Sequence, residues 1–124
     1  MKRLEISENK INMILELNDQ NEMKLLHFSA LPFDAKNICF PEGSNPFPMV
    51  ELQVTGTDKT GDRQGAKYVR TGPGYRLKFR DLRDCRNLNG RKLEVVTEDK
   101  VTGLEVHSHY QFYNGIAVVR AWTE

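Results

Sequence analysis

The sequence predicts an all-β protein: one antiparallel β-sandwich of about eight or nine strands, with at most a short helical turn. Three observations carry this. Apolar and polar residues alternate over several short stretches, which is the period of a half-buried strand. Polar breaks and turn dipeptides separate those stretches. No stretch keeps a 3.6-residue period for ten residues, so no sizeable helix is expected.

The elements follow in order. Leu4 and Ile6 open a strand, and Ser7-Glu8-Asn9-Lys10 breaks it. Ile11, Met13, Leu15 and Leu17 share one face of the returning strand. Asn18-Asp19-Gln20-Asn21 breaks again before a third strand over residues 23–28. From Ser29 to Pro48 the texture changes, with Pro32, Pro41, Pro46 and Pro48 set among Phe33, Phe40 and Phe47. Proline fixes φ and removes a backbone donor, so a long loop is expected, pinned to the core by its aromatics. Val50, Leu52 and Val54 alternate with Glu51 and Gln53, which predicts a strand over 49–55. Five glycines between Gly56 and Gly74 then mark a connection.

Tyr75, Leu77 and Phe79 alternate with Arg76, Lys78 and Arg80, a strand pattern with a cationic outer face. Residues 81–90 are polar and read as a turn region, with one helical turn at most; Asn89-Gly90 is a turn signal. Leu93 and Val95 point inward from a strand over 92–98, and 98–103 close a hairpin. In the next strand Leu104, Val106, Ser108, Tyr110 and Phe112 take one face; Glu105, His107, His109 and Gln111 take the other. Asn114-Gly115 predicts a tight hairpin, and 116–123 a final interior strand, since both its faces are apolar.

The 124 residues suit one domain, 1–124, and 39% hydrophobic with 28% charged residues excludes a disordered chain. There is no apolar run of membrane-span length and no secretory leader, so no membrane partner and a cytoplasmic location are expected. Cys39 and Cys85 sit in no metal-like spacing; a disulfide between them is open, and buried or idle thiols of a reducing compartment are the plainer reading. The net charge of +1 hides ten basic residues against Asp81 and Asp84 between Arg63 and Lys92. With Tyr68, Tyr75 and Phe79 among them they could follow a phosphate backbone. An outward strand face is the plainer reading, and no nucleic-acid partner is expected.

Chemistry is sparse. His107 and His109, with Glu105 beside them, could grip a metal, but zinc wants three or four ligands and no further cluster lies nearby, so an exposed polar face and no metal are expected. The stretch GTDKTGDRQGAKY lacks the Gly-Lys-Ser/Thr of a phosphate loop and precedes a strand, not a helix. Neither a nucleophile elbow nor a catalytic cysteine context is present, and no catalytic residue or cofactor is expected.

Three stretches are familiar together: FPMVELQVTG, then GAKYVRTGPGYRLKF, then LNGRKLEVVTEDKVTGLEVHSHYQFYNGIAVVRAWTE. From about Phe47 onward the chain resembles the N-terminal domain of glycoside hydrolase family 36, the α-galactosidases. The resemblance is most specific in GYRLKF, GRKLEVVTED, TGLEV and YNGIAVVRAWTE. It implies a β-supersandwich set before a (β/α)₈ barrel, with the two aspartates of a retaining hydrolysis of terminal α-linked galactose on that barrel.

A barrel needs about 250 residues of its own, so this chain is expected to be a non-catalytic fragment whose partner is the barrel of the full-length protein. Asp34, Asp58, Asp62, Asp81, Asp84 and Asp99 match neither aspartate. The parent is expected to be a homo-oligomer acting on carbohydrate. The loop over 29–48 would reach a neighbouring active-site rim, with Asp34, Lys36 and Asn37 as partners for sugar hydroxyls. The alternative is a free-standing carbohydrate- or polyanion-binding domain.

Overall fold

A computed structural model of the chain describes residues 2–37, 48–56 and 71–124. Seven strands lie among them, in two antiparallel sheets. β1 (Lys2–Glu8), β2 (Ile11–Leu17) and β3 (Met23–Ser29) form one meander. β4 (Lys78–Arg86), β5 (Arg91–Asp99), β6 (Leu104–Phe112) and β7 (Val119–Thr123) form the other. A 3-10 turn (Ala35–Asn37) and one short helix, α1 (Gly72–Arg76), complete the regular elements. The protein is an all-β sandwich.

The core is where the inner faces of the sheets meet. Ile6, Ile11, Met13, Leu15 and Met23 come from the first sheet, and Leu93, Val95 and Phe112 from the second. Alternation makes this possible, because residues two apart on a strand share a face. Each of these side chains is worth roughly 1.5–3 kcal/mol in burial.

The sheets are also tied at their turns. The Asn9 side chain donates to the Tyr113 carbonyl at 2.6 Å and accepts from the Gly115 N–H at 3.2 Å. Asn21 exchanges two backbone and side-chain bonds with Phe79, both at 2.8 Å. Lys78 meets Glu22 at 2.7 Å, and Arg86 meets Glu8 at 2.9 Å.

Five expectations are corrected. Residues 49–55 form no strand; Pro48 alone makes a bridge, to Lys24. Tyr75 and Arg76 lie in α1, which Thr71 caps: its hydroxyl accepts from the Gly74 N–H at 3.0 Å, and Pro73 suits a first turn that needs no proline N–H. β4 begins only at Lys78 and runs through Arg86, across the region read as a turn. Among the described residues the final strand is an edge paired to β6 alone, and it starts at Val119; Ile116 and Val118 are half exposed in the connection before it. Phe33 does not pin the loop to the core: it meets His27 edge-on and the Arg3 guanidinium at 5.5 Å, on the first sheet's outer side. Phe40, Phe47 and Cys39 lie outside the described residues, as does most of the glycine-rich connection.

Candidate functional site

The outer face of the four-stranded sheet gathers most of the described polar chemistry. Its register is antiparallel, so Glu94 on β5 stands opposite His109 on β6, and Val96 opposite His107. Side chains two apart on one strand project the same way. His107 and His109 therefore stand side by side, their rings stacked with centroids 6.2 Å apart. Glu94 joins them from the neighbouring strand.

His107 is held from both sides. Its Nδ1 lies 2.6 Å from Glu94 Oε1 and its Nε2 2.7 Å from Glu105 Oε1. The hydrogen bond from His107, together with the nearby Arg83 cation, holds the Glu94 carboxyl below the usual glutamate range despite some burial. Arg80 pairs with Glu105 from β4. His109 differs. It is only 5% exposed, and neither ring nitrogen has a hydrogen-bond partner; the nearest carboxylate is Glu124, 3.4 Å from Nε2. Trp122 stacks on the His109 ring at 4.7 Å, nearly parallel, and Arg120 and Lys92 sit over the Trp122 ring at 5.2 and 5.3 Å.

This face was expected to be exposed, and part of it is not. His109 is covered by Trp122. Gln111 is buried too, bonded to the Asn87 side chain and to the Phe112 carbonyl. Sequence reasoning found His107, His109 and Glu105 but missed Glu94 and Trp122. Glu94 is contributed by register between strands, which spacing within one strand does not contain.

The basic run has a different explanation from a polyanion groove. Of its described members, Arg76 pairs with Asp99, Lys78 with Glu22, Arg80 with Glu105, Arg83 with Asp81 and Glu94, Arg86 with Glu8, and Arg91 with Asp84 and Glu8. Lys92 lies over Trp122. Lys92 apart, these cations serve ion pairs, most of them between elements or between the sheets.

The three rim candidates lie elsewhere. Asp34 precedes the Ala35–Asn37 turn and its carboxylate accepts from the Lys36 N–H at 2.9 Å, as a side chain does when it starts a turn. Asp34 and Lys36 are exposed, and Asn37 ends the turn. Phe33 anchors this segment to β1 and β3, on the opposite sheet from His107 and His109. Cys85 is an exposed free thiol on β4. A cleft of about 20 Å³ lies between Met23, Met49, Leu77 and Thr97, with room for water rather than a sugar ring.

The fold and site together define an antiparallel β-sandwich with a buried-histidine face. Comparison with family models, with curated proteins and with solved structures finds no match. Among the described residues, no helix is long and apolar enough to cross a membrane.

Proposed function

We propose that this chain is the N-terminal, non-catalytic β-sandwich domain of a cytoplasmic α-galactosidase of glycoside hydrolase family 36. Its role is that of scaffold and oligomer interface for an enzyme that removes terminal α-linked galactose from oligosaccharides. One observation carries the reading. The stretch of sharpest resemblance, GRKLEVVTED through YNGIAVVRAWTE, coincides with β5, β6 and β7, three consecutive strands of one sheet. The agreement is weaker at GYRLKF, whose first three residues lie in α1.

On this reading the catalytic aspartates belong to the (β/α)₈ barrel, and the exposed Asp34 and Lys36, with Asn37, remain the candidates for contact with sugar at a neighbour's rim. The cross-strand pairing of the basic run weighs against the polyanion-binding alternative.

Two measurements test the proposal. The purified chain should leave a chromogenic α-galactoside unhydrolysed; turnover abolished by one substitution within it would overturn the non-catalytic role. The parent reading frame should encode a barrel bearing two suitably placed aspartates after codon 124. A stop codon there, or an unrelated domain, would overturn the family assignment.

A further inference from the structure

We propose that Glu94, His107 and His109 form a binding site for one divalent transition-metal ion of the zinc class, clipping β5 to β6. The reading stands on the outer-face geometry and does not depend on the parent enzyme.

One nitrogen of each ring and one Glu94 oxygen all lie within 4.8 Å of one another. Tetrahedral zinc, with bonds near 2.0–2.1 Å, wants ligand atoms about 3.3 Å apart, so small side-chain rotations close the site. Two imidazoles and a carboxylate suit zinc, cobalt or nickel; magnesium and calcium prefer oxygen alone. Two strand histidines separated by one residue present both rings on one face, and the third ligand arrives from the paired strand.

His109 supplies the independent observation. A buried histidine normally spends at least one nitrogen on a hydrogen bond. This one makes a hydrogen bond from neither, its Nε2 meeting only the exposed Glu124 carboxylate at 3.4 Å, while it is packed in place by Trp122. An ion gives one of those nitrogens its partner. At His107 and Glu94 the ion takes the place of the proton they share across 2.6 Å. The surroundings also fit a metal site. Glu105 accepts from the far nitrogen of His107, the arrangement that orients a ligating imidazole. Glu124, 3.4 Å from His109 Nε2, or a water fills the fourth position.

The test uses the chelator-treated chain carrying Cys39→Ser and Cys85→Ser, so that no thiol competes for metal. Zinc chloride is titrated by calorimetry, and cobalt chloride by visible absorption and by quenching of Trp122, the chain's single tryptophan. The expected result is saturation at one equivalent, at micromolar metal, with magnesium and calcium chlorides inert. His109→Phe keeps a ring against Trp122 and should weaken zinc by more than about 10-fold while leaving the metal-free melting temperature unchanged or higher. Glu94→Gln keeps an acceptor for His107 and should weaken zinc similarly; it decides the matter if His109→Phe fails to fold. Absence of saturable binding below millimolar zinc overturns the site. Unchanged affinity in Glu94→Gln does the same.

Discussion

Asp99 shows how a single side chain can hold a corner together. Its carboxylate is wholly buried yet fully satisfied. Arg76 donates twice at 2.9 Å, the Val101 N–H at 3.1 Å and the Thr102 hydroxyl at 2.8 Å. The hydrogen bonds from Arg76, above all, pull its pKa from 3.8 down to about 2. The sign of the consequence is fixed. The fold keeps Asp99 ionised where the unfolded chain would bind a proton, so this stabilisation is complete above about pH 4 and fades as pH falls towards 2. The urea midpoint should therefore drop between neutral pH and about pH 3, and Asp99→Asn should flatten that drop. Glu16 makes a second case. At 2% exposure it lies between Arg3 at 2.8 Å and Lys24 at 3.3 Å. Burial pushes its carboxyl up, but hydrogen bonds from Arg3 and Lys24 outweigh this and hold it below the usual range. Glu16→Ala removes the carboxylate that both cations face and should cost about 1–3 kcal/mol in denaturant unfolding. Replacing Glu16 and Lys24 together by leucine and methionine should recover most of that loss. Nothing in the sequence announced either pair. Asp99 reads as part of a hairpin turn, and Glu16 as the polar face of a strand, until α1 and the neighbouring strands are placed.

At the scale of elements, alternation disclosed the strands whose inner faces are buried. Ile11, Met13 and Leu15 in β2, and Leu93 and Val95 in β5, are such cases. It failed for β4 because that strand is an edge whose residues are mostly exposed. Its Arg83, Asp84 and Arg86 answer to charges on other strands and Asp81 to Arg83 within β4, and a charged run carries no period-two apolar signal. It misled over 49–55, where a regular pattern finds no partner strand among the described residues. The Thr71 cap and Pro73 were legible helix signals, outweighed by the aromatic alternation that follows them. Turn chemistry was read more securely at Asn89-Gly90, which closes β4 onto β5. Asn87 Oδ1 accepts there from the N–H groups of Asn89 and Gly90. Gly90 has φ +148°, and a Cβ on it would fall 2.4 Å from the Phe112 carbonyl oxygen. Gly90→Ala should destabilise the protein by on the order of 2 kcal/mol, read as a lower melting temperature with the β5–β6 amides losing exchange protection first.

Across the whole molecule, the sandwich class was legible because two layers are what short amphipathic strands can build. The candidate site was legible only in part. His107 and His109 stood out as a pair, whereas Glu94 needed the strand register and Trp122 needed the edge position of β7. The rim residues drew attention only through the resemblance, and the Asp34 carboxylate is engaged by the Lys36 N–H of its own turn.

The topology has a consequence for how the chain assembles. Among the described residues neither meander borrows a strand from the other: one takes its strands from residues 2–29, the other from 78–123. They meet through the shared core and through ties such as Asn9 to Tyr113. A chain severed between Gly56 and Thr71 should therefore still yield two mutually complementary pieces. Mixed from denaturant, they should reassociate into a one-to-one complex with the parent's circular dichroism, and Asn9→Ala should loosen that complex measurably. Pieces that stay apart would mean the covalent link between the halves, and not their interface, keeps the layers together.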